Sequence, residues 1–166
     1  MGELAYLQSI PEVAALLDGA DVIDAKHIVA PLTLREFLAG VANYQPGWVT
    51  ALYRVRGGFV RLLGMRQEGI PEPPRLRPED VSFEPGGKAL FTCKQAEEDR
   101  YWIGGEEDRH LNFNVAFVVE PLAEGRNRLY LLTVVYYNHW TGRVYFAVIA
   151  PFHHLITRLM LRRLVG

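Results

Sequence analysis

The chain has 166 residues, of which 49% are hydrophobic and 22% charged, a composition typical of one globular domain built around a single core. Its formal net charge of -1 argues against a protein designed as a whole to bind nucleic acid or an acidic membrane. The single cysteine, Cys93, cannot form an internal disulfide, and the N-terminus lacks the pattern of a signal peptide. We therefore expect a single domain over residues 1–166 that works in the cytoplasm.

The first twenty residues predict a short helical extension. Ser9-Ile10-Pro11-Glu12 has the form of a capping box with proline in the first turn, and Gly19 marks a helix end, so a helix is expected over residues 10–18. Three apolar residues are expected on its inner face: Val13, Leu16 and Leu17. The β-branched residues of segment 21–29 then predict the first strand.

Two helices are predicted between the first and second strands. Thr33-Leu34-Arg35-Glu36 is a second capping box, followed by apolar residues at helical spacing. Another helix is expected after Pro46-Gly47. Its apolar stripe is predicted to face the core: Trp48, Leu52, Val55, Phe59 and Leu62. The proline-rich segment 64–80 can form neither continuous helix nor central strand and predicts a long loop.

A run of strands follows the loop. Four segments have strand character: 87–95, 100–104, 110–120 and 128–140. The links between them are short, which predicts antiparallel pairing. Segment 110–120 alternates, with apolar residues on one face and His110, Asn112 and Asn114 on the other, so we expect one core face and one wetter face.

Residues 143–164 predict a long closing helix. Its first half is apolar on every side, which indicates burial. In the second half a set of apolar side chains is expected to face the core: Phe152, Leu155, Ile156, Leu159 and Met160. Pro151 predicts a kink that divides the helix into two pieces, and the uncharged run 144–157 is too short to span a bilayer.

The order of these elements predicts an α+β fold with an antiparallel sheet. It resembles the helix-grip fold of START-like domains, birch-pollen-allergen-like proteins and polyketide cyclases. The ending GRVYFAVIAPFHHLITRLMLRR, with the preceding Trp140-Thr141-Gly142 turn, is similar to the C-terminal signature of an uncharacterised bacterial domain-of-unknown-function family assigned to that superfamily, SRPBCC. The resemblance implies a curved sheet wrapped around the C-terminal helix and brings no catalytic residues with it.

Members of that family also occur fused behind nucleotide-binding oxidoreductase-like domains. This chain shows no glycine-rich dinucleotide fingerprint, and we expect no cofactor. The cavity that helix-grip folds usually keep favours a small hydrophobic or lipid-like ligand. Candidates for lining it are Trp48, Phe91, Trp102, Phe113, Phe117, Tyr136, Phe152 and Ile156. Side chains of this kind also pack cores, and that alternative remains open.

Two other functions are compatible with the sequence. His139 or His153, beside Tyr136 or Tyr137, could move a proton in a cyclase-like or dehydratase-like reaction. Alternatively, His153 is an ordinary helix histidine, bonded to a neighbouring strand or exposed to solvent. Adjacent His153 and His154 point about 100° apart on a helix, so no metal site is expected.

The third alternative is an interaction module. Segment 128–140 is apolar on both faces, so a second sheet face with Tyr130 or Tyr137 exposed could form a homodimer. The charged residues of the chain are mixed in sign, which argues against a nucleic-acid partner. No stable membrane insertion is expected.

Overall fold

The chain folds into helices and an antiparallel sheet. The computed structural model describes residues 2–64, 75–107 and 109–166. Elements in the first part are α1 (Gly2–Gln8), α2 (Pro11–Leu17), β1 (Val22–Ala30), α3 (Leu34–Ala42) and α4 (Gly47–Leu62). Elements in the second part are β2 (Thr92–Glu97), β3 (Tyr101–Glu107), β4 (Leu111–Pro121), β5 (Asn127–Tyr137) and α5 (Trp140–Val165).

The five strands form one sheet in the order β1-β5-β4-β3-β2, with antiparallel pairing throughout. The first strand therefore pairs with the last, with Val22 opposite Val135 and Ala30 opposite Asn127. Helix α5 packs against β1, β5 and α3. The predicted α+β architecture is confirmed, including the two helices between the first and second strands.

The two predicted capping boxes have different outcomes. At α3 the box is complete: Glu36 N donates to Thr33 Oγ1 at 3.2 Å, and Thr33 N donates to Glu36 Oε2 at 2.7 Å. At α2 the prediction is wrong, because Ile10 is the N-cap residue and no side chain caps it. Ser9 instead donates its hydroxyl to the carbonyl of Tyr6 at 2.6 Å, since the unpredicted helix α1 ends beside it.

The inner face predicted for α4 is correct at Phe59, which packs against the core, and wrong at Val55 and Leu62. Val55 is 71% exposed and Leu62 82% exposed, whereas the buried positions are Val49, Gly57 and Val60. The helix carries apolar residues on more than one side, so spacing alone did not determine which side meets the core. Residues 65–74 of the loop predicted after α4 lie outside the described residues.

The sheet is buried on both faces, which corrects the prediction of one wetter face. On one face Val115, Phe117 and Val119 pack with α3 and the C-terminal part of α5. On the other face, Ala116 and Val118 pack against the two N-terminal helices. The covering side chains of those helices are Leu7, Ile10 and Val13, with Leu16 and Leu17 partly buried.

The same cover closes the surface predicted for a homodimer. Tyr130 is only 2% exposed and stacks on Tyr6 of α1, with ring centroids 6.3 Å apart. The two apolar faces of β5 are thus explained by helices of the same chain. The homodimer stays a prediction, because Tyr137, the other tyrosine proposed for its surface, is only half-buried.

The ends of two predicted strands also change. Strand β2 begins at Thr92, because the preceding segment turns back on itself through an isolated bridge between Lys88 and Thr92. Strand β5 ends at Tyr137, and Trp140 opens the closing helix instead of ending the strand.

Helix α5 is uninterrupted and buried along one side only. It continues through Pro151, so the prediction of two pieces is wrong. Tyr145, Phe146 and Leu161 face the interior, whereas Phe152 is 47% exposed. The predictions of an all-round buried first half, and of Phe152 and Leu155 as inward residues, are therefore wrong, because the sheet and α3 meet only one side of the helix.

Candidate functional site

A groove of about 460 Å³ opens between β1 and the C-terminal half of α5. Its lining from β1 is Lys26, His27 and Ile28. Its lining from α5 is Arg158, Leu161, Arg162 and Val165. The i, i+3 and i+4 spacing of the helix residues places them on one side of α5.

The floor of the groove is apolar. Ile28 is 9% exposed and Leu161 4% exposed, and both belong to the main core of the protein. They hold β1 and α5 together, so the groove rests on packed side chains. A ligand in it would contact a dry floor while remaining partly open to water.

The rim of the groove is basic. Within the described chain, neither Arg158 nor Arg162 forms an ion pair with an acidic side chain. His27 lies 3.3 Å from Glu3 through Nε2 and Oε1. Two guanidinium groups thus remain available beside the apolar floor, an arrangement suited to a carboxylate or a phosphate.

A polar cluster adjoins the groove through Lys26. Asp24 Oδ2 contacts Lys26 Nζ and lies 3.4 Å from Nε2 of His153 and 3.5 Å from Nδ1 of His154. Lys26 Nζ is in turn 3.2 Å from His154 Nδ1. Burial by itself would raise the pKa of Asp24, but the polar contacts with His153 and Lys26 and the nearby positive charges lower it to about 2.

The predicted catalytic residues do not come together. His139 is the N-cap of α5, where its Nδ1 accepts from Thr141 N at 3.3 Å. His153 lies fourteen residues further along the same helix, roughly 20 Å away at 1.5 Å per residue. The Tyr136 hydroxyl donates to the carbonyl of Leu16. Of these candidates only His153 reaches the polar cluster.

The described residues contain no group of three histidine, cysteine or carboxylate side chains that could hold a metal ion. In the Asp24 cluster the position beside the carboxylate is taken by the ammonium group of Lys26. A charge that a metal would supply is already present there. The sequence expectation of no metal remains a prediction.

The side chains predicted to line a ligand cavity are distributed between the core and the surface. Trp102 and Phe117 are fully buried and pack edge to face at 5.9 Å. Phe91 and Phe113 form a similar pair at 5.1 Å. Trp48 is 39% exposed and Phe152 47% exposed. The other two candidates, Tyr136 and Ile156, are half-buried.

None of these eight residues lines the groove, and their role as ligand contacts stays a prediction. The groove residues were missed because Lys26 and Arg158 come from opposite ends of the chain. The arginines of the last helical turns were visible in the sequence, but no pattern indicated the strand beside them.

The fold is thus an antiparallel sheet with a long C-terminal helix packed against it. The chain belongs to the family described as Protein of unknown function (DUF2867), whose profile matches residues 16–160. The predicted membership of a domain-of-unknown-function family is confirmed. No curated protein and no solved structure matches the chain.

By length and composition alone, α5 could cross a membrane. Only 22% of its most apolar stretch is buried in the protein, although Tyr145, Phe146 and Leu161 anchor it on the fold. One side of the helix is therefore packed on the fold, and the other carries exposed apolar side chains.

Proposed function

We propose that the protein binds an anionic amphiphile, a small molecule with an apolar chain and a carboxylate or phosphate group, in the groove between β1 and α5. The observation that carries the proposal is a pair of guanidinium groups, Arg158 and Arg162, that have no acidic partner among the described residues. They lie beside the apolar floor of Ile28 and Leu161. The arginines would hold the head group, and the floor would receive the chain.

The size of the groove supports this class of ligand. About 460 Å³ lies within the usual range of small-molecule sites, roughly 300 to 1,000 Å³. The proposal keeps the lipid-like ligand implied by the resemblance to bacterial START-like proteins, and it keeps the cytoplasm as the place of action. It moves the ligand from the interior to the groove, because the interior between α3 and the sheet is packed: Phe117 contacts both Phe37 and Trp102 edge to face.

The proposal is tested by isothermal titration calorimetry with dodecanoate below its critical micelle concentration. Arg158→Gln should weaken binding by roughly tenfold, because one charge-assisted hydrogen bond is lost. Arg163→Gln is the matched control: it removes the same charge from the same helix but does not line the groove, and it should leave the affinity unchanged.

Uncharged dodecanol provides a second comparison. Dodecanol should bind the unmodified protein more weakly than dodecanoate does. The Arg158→Gln variant should bind dodecanol with the same affinity as the unmodified protein. Absence of dodecanoate and dodecyl phosphate binding by the unmodified protein would refute the proposal, and so would equal losses in the two arginine variants.

We propose acid–base catalysis by His153 as the second candidate function. Asp24 lies 3.4 Å from its Nε2 and would orient the imidazole, leaving Nδ1 to exchange a proton. A 3-hydroxydecanoyl thioester mixed with the protein and followed by NMR tests for dehydration. Turnover that is lost in His153→Gln but retained in His139→Gln would support catalysis, whereas a stable thioester would eliminate this candidate.

A further inference from the structure

Helix α5 carries an exposed apolar stripe along the side that faces away from the sheet. We call this the outer stripe and define it by four residues: Val144, Val148, Phe152 and Leu155. They are 40%, 47%, 47% and 46% exposed, respectively. Their spacing of four, four and three residues places them in one row about 16 Å long.

The two ends of the outer stripe have different chemistry. Trp140, 63% exposed, lies at the N-terminal end of α5. Beyond the C-terminal end of the outer stripe, α5 continues with three exposed arginines, Arg158, Arg162 and Arg163. Tryptophan and arginine both favour the boundary between lipid and water, where an apolar body or stem can be buried while the polar tip remains hydrated.

The charge of α5 is also one-sided. The helix contains four arginines and no acidic residue, whereas the rest of the chain has fourteen basic and nineteen acidic residues. A nearly neutral protein therefore presents a positive helix with an apolar row on its open side. An interfacial helix on an anionic membrane has this combination.

We propose that the outer stripe docks the protein on an anionic membrane surface, with α5 lying parallel to the lipid plane. Arg158 and Arg162 both border the stripe and line the groove, so docking would bring the groove to the level of the lipid head groups. This part rests on the proposed function: the membrane is the source of the amphiphile. The docking itself does not depend on the groove being occupied.

Charge complementarity distinguishes a membrane from a second copy of the chain as the occupant. Two outer stripes packed against each other would bring together helices that have four arginines each and no carboxylate. Anionic lipid head groups instead neutralise those charges, at roughly a fivefold gain in affinity for each arginine near the surface. Spanning is disfavoured because Tyr145, Phe146 and Leu161 would have to leave the core.

The experiment is vesicle flotation. Vesicles of phosphatidylcholine with phosphatidylglycerol are compared with vesicles of phosphatidylcholine alone, and the full chain should float with the anionic vesicles only. The double variant Phe152→Ser, Leu155→Ser should bind them at least roughly tenfold more weakly, because two apolar contacts are lost. Circular dichroism confirms that the variant is folded, as expected for exposed positions.

Two matched controls separate the contributions. Leu4→Ser changes a 57% exposed leucine on α1, across the sheet from α5, and should float as the unmodified protein does. Arg163→Gln should reduce flotation roughly fivefold while leaving dodecanoate binding unchanged. The stripe variant should also retain dodecanoate binding. Arg158→Gln should reduce flotation roughly fivefold, as Arg163→Gln does, but unlike Arg163→Gln it should also weaken dodecanoate binding.

Failure of docking and failure of groove binding therefore give different results. Flotation that is absent, or equal for the stripe variant and Leu4→Ser, overturns the docking proposal and leaves groove binding intact. Light scattering provides the remaining outcome: a dimer that becomes a monomer in the stripe variant, without flotation, would show that a second copy covers the outer stripe.

Discussion

Asp24 is a largely buried carboxylate beside the groove, and its charge is compensated by neighbouring side chains. Its side chain is 13% exposed and lies among Lys26, His153 and His154. A buried carboxylate is stable only when its charge is compensated. The cluster thus fixes the position of Lys26, which lines the groove, and it connects β1 to the middle of α5.

Asp24→Asn tests the energetic role of this cluster. The folded-state pKa of Asp24 is about 2, below its ordinary value of 3.8. The ionised carboxylate therefore stabilises the fold above pH 4 by about 2 kcal/mol, and this stabilisation is lost as the pH falls toward 2. Urea unfolding at pH 7 should show that the free energy of unfolding of Asp24→Asn is about 2 kcal/mol lower than that of the unmodified protein. Near pH 2 the two values should be similar.

The control for this prediction is Asp18→Asn, because Asp18 is exposed. Its effect on the free energy of unfolding should be within about 0.5 kcal/mol at both pH values. A difference between Asp24→Asn and the unmodified protein that does not change with pH would contradict the assignment of the effect to ionisation.

Helices α1 and α2 are two short elements that cover one face of the sheet. Seven-residue helices are marginal by themselves, so their stability comes from the apolar side chains that they place on β3, β4 and β5. Ile10 is 2% and Val13 0% exposed. The helices in turn keep that face of the sheet away from water and from other copies.

Ile10→Ala should destabilise the protein by about 2 to 4 kcal/mol, because it removes buried methyl groups and leaves a cavity between α2 and the sheet. Denaturant unfolding measures this change. Leu4→Ala in the same segment alters an exposed side chain and should cost less than about 0.5 kcal/mol. Equal effects of the two variants would mean that α1 and α2 do not pack as described.

The start of α5 shows why a glycine occurs in the Trp140-Thr141-Gly142 turn. A Cβ atom at Gly142 would collide with the backbone carbonyl oxygen of His110. The same carbonyl accepts hydrogen bonds from the backbone of Asn138 and His139. Only glycine permits this close approach of the helix to the beginning of β4, so the turn fixes the direction in which α5 leaves the sheet.

The whole molecule is nearly neutral, but its charge is unevenly distributed. Four of its eighteen basic residues are in α5, which has no acidic residue. Net charge alone argued against a membrane partner, because it averages a positive helix with an acidic remainder. The distribution of charge over surfaces, and not its sum, determines attraction to an anionic surface.

This distribution predicts how salt affects vesicle binding. Raising sodium chloride from about 0.05 M to about 0.5 M shortens the Debye length from about 14 Å to about 4 Å. Flotation with anionic vesicles should fall severalfold toward the level seen with phosphatidylcholine alone, because salt screens the attraction between the arginines and the lipid head groups. Binding that does not change with salt would exclude a role for the arginines.

The sequence by itself determined the order of the strands and helices from α2 to α5, the capping box of α3, and membership of a domain-of-unknown-function family. These depend on local chemistry: period-two and helical spacing, turn residues, and caps whose partners are three residues apart.

Only the tertiary structure decided which side of α4 and of α5 is inside. Helices α4 and α5 are apolar on more than one side, so a helical period fits several faces equally well, and packing against the sheet and neighbouring helices selects one. The groove likewise required the fold, because β1 and the end of α5 meet only after the first strand pairs with the last. Burial of a face and convergence of distant residues depend on three-dimensional contacts that local spacing does not encode.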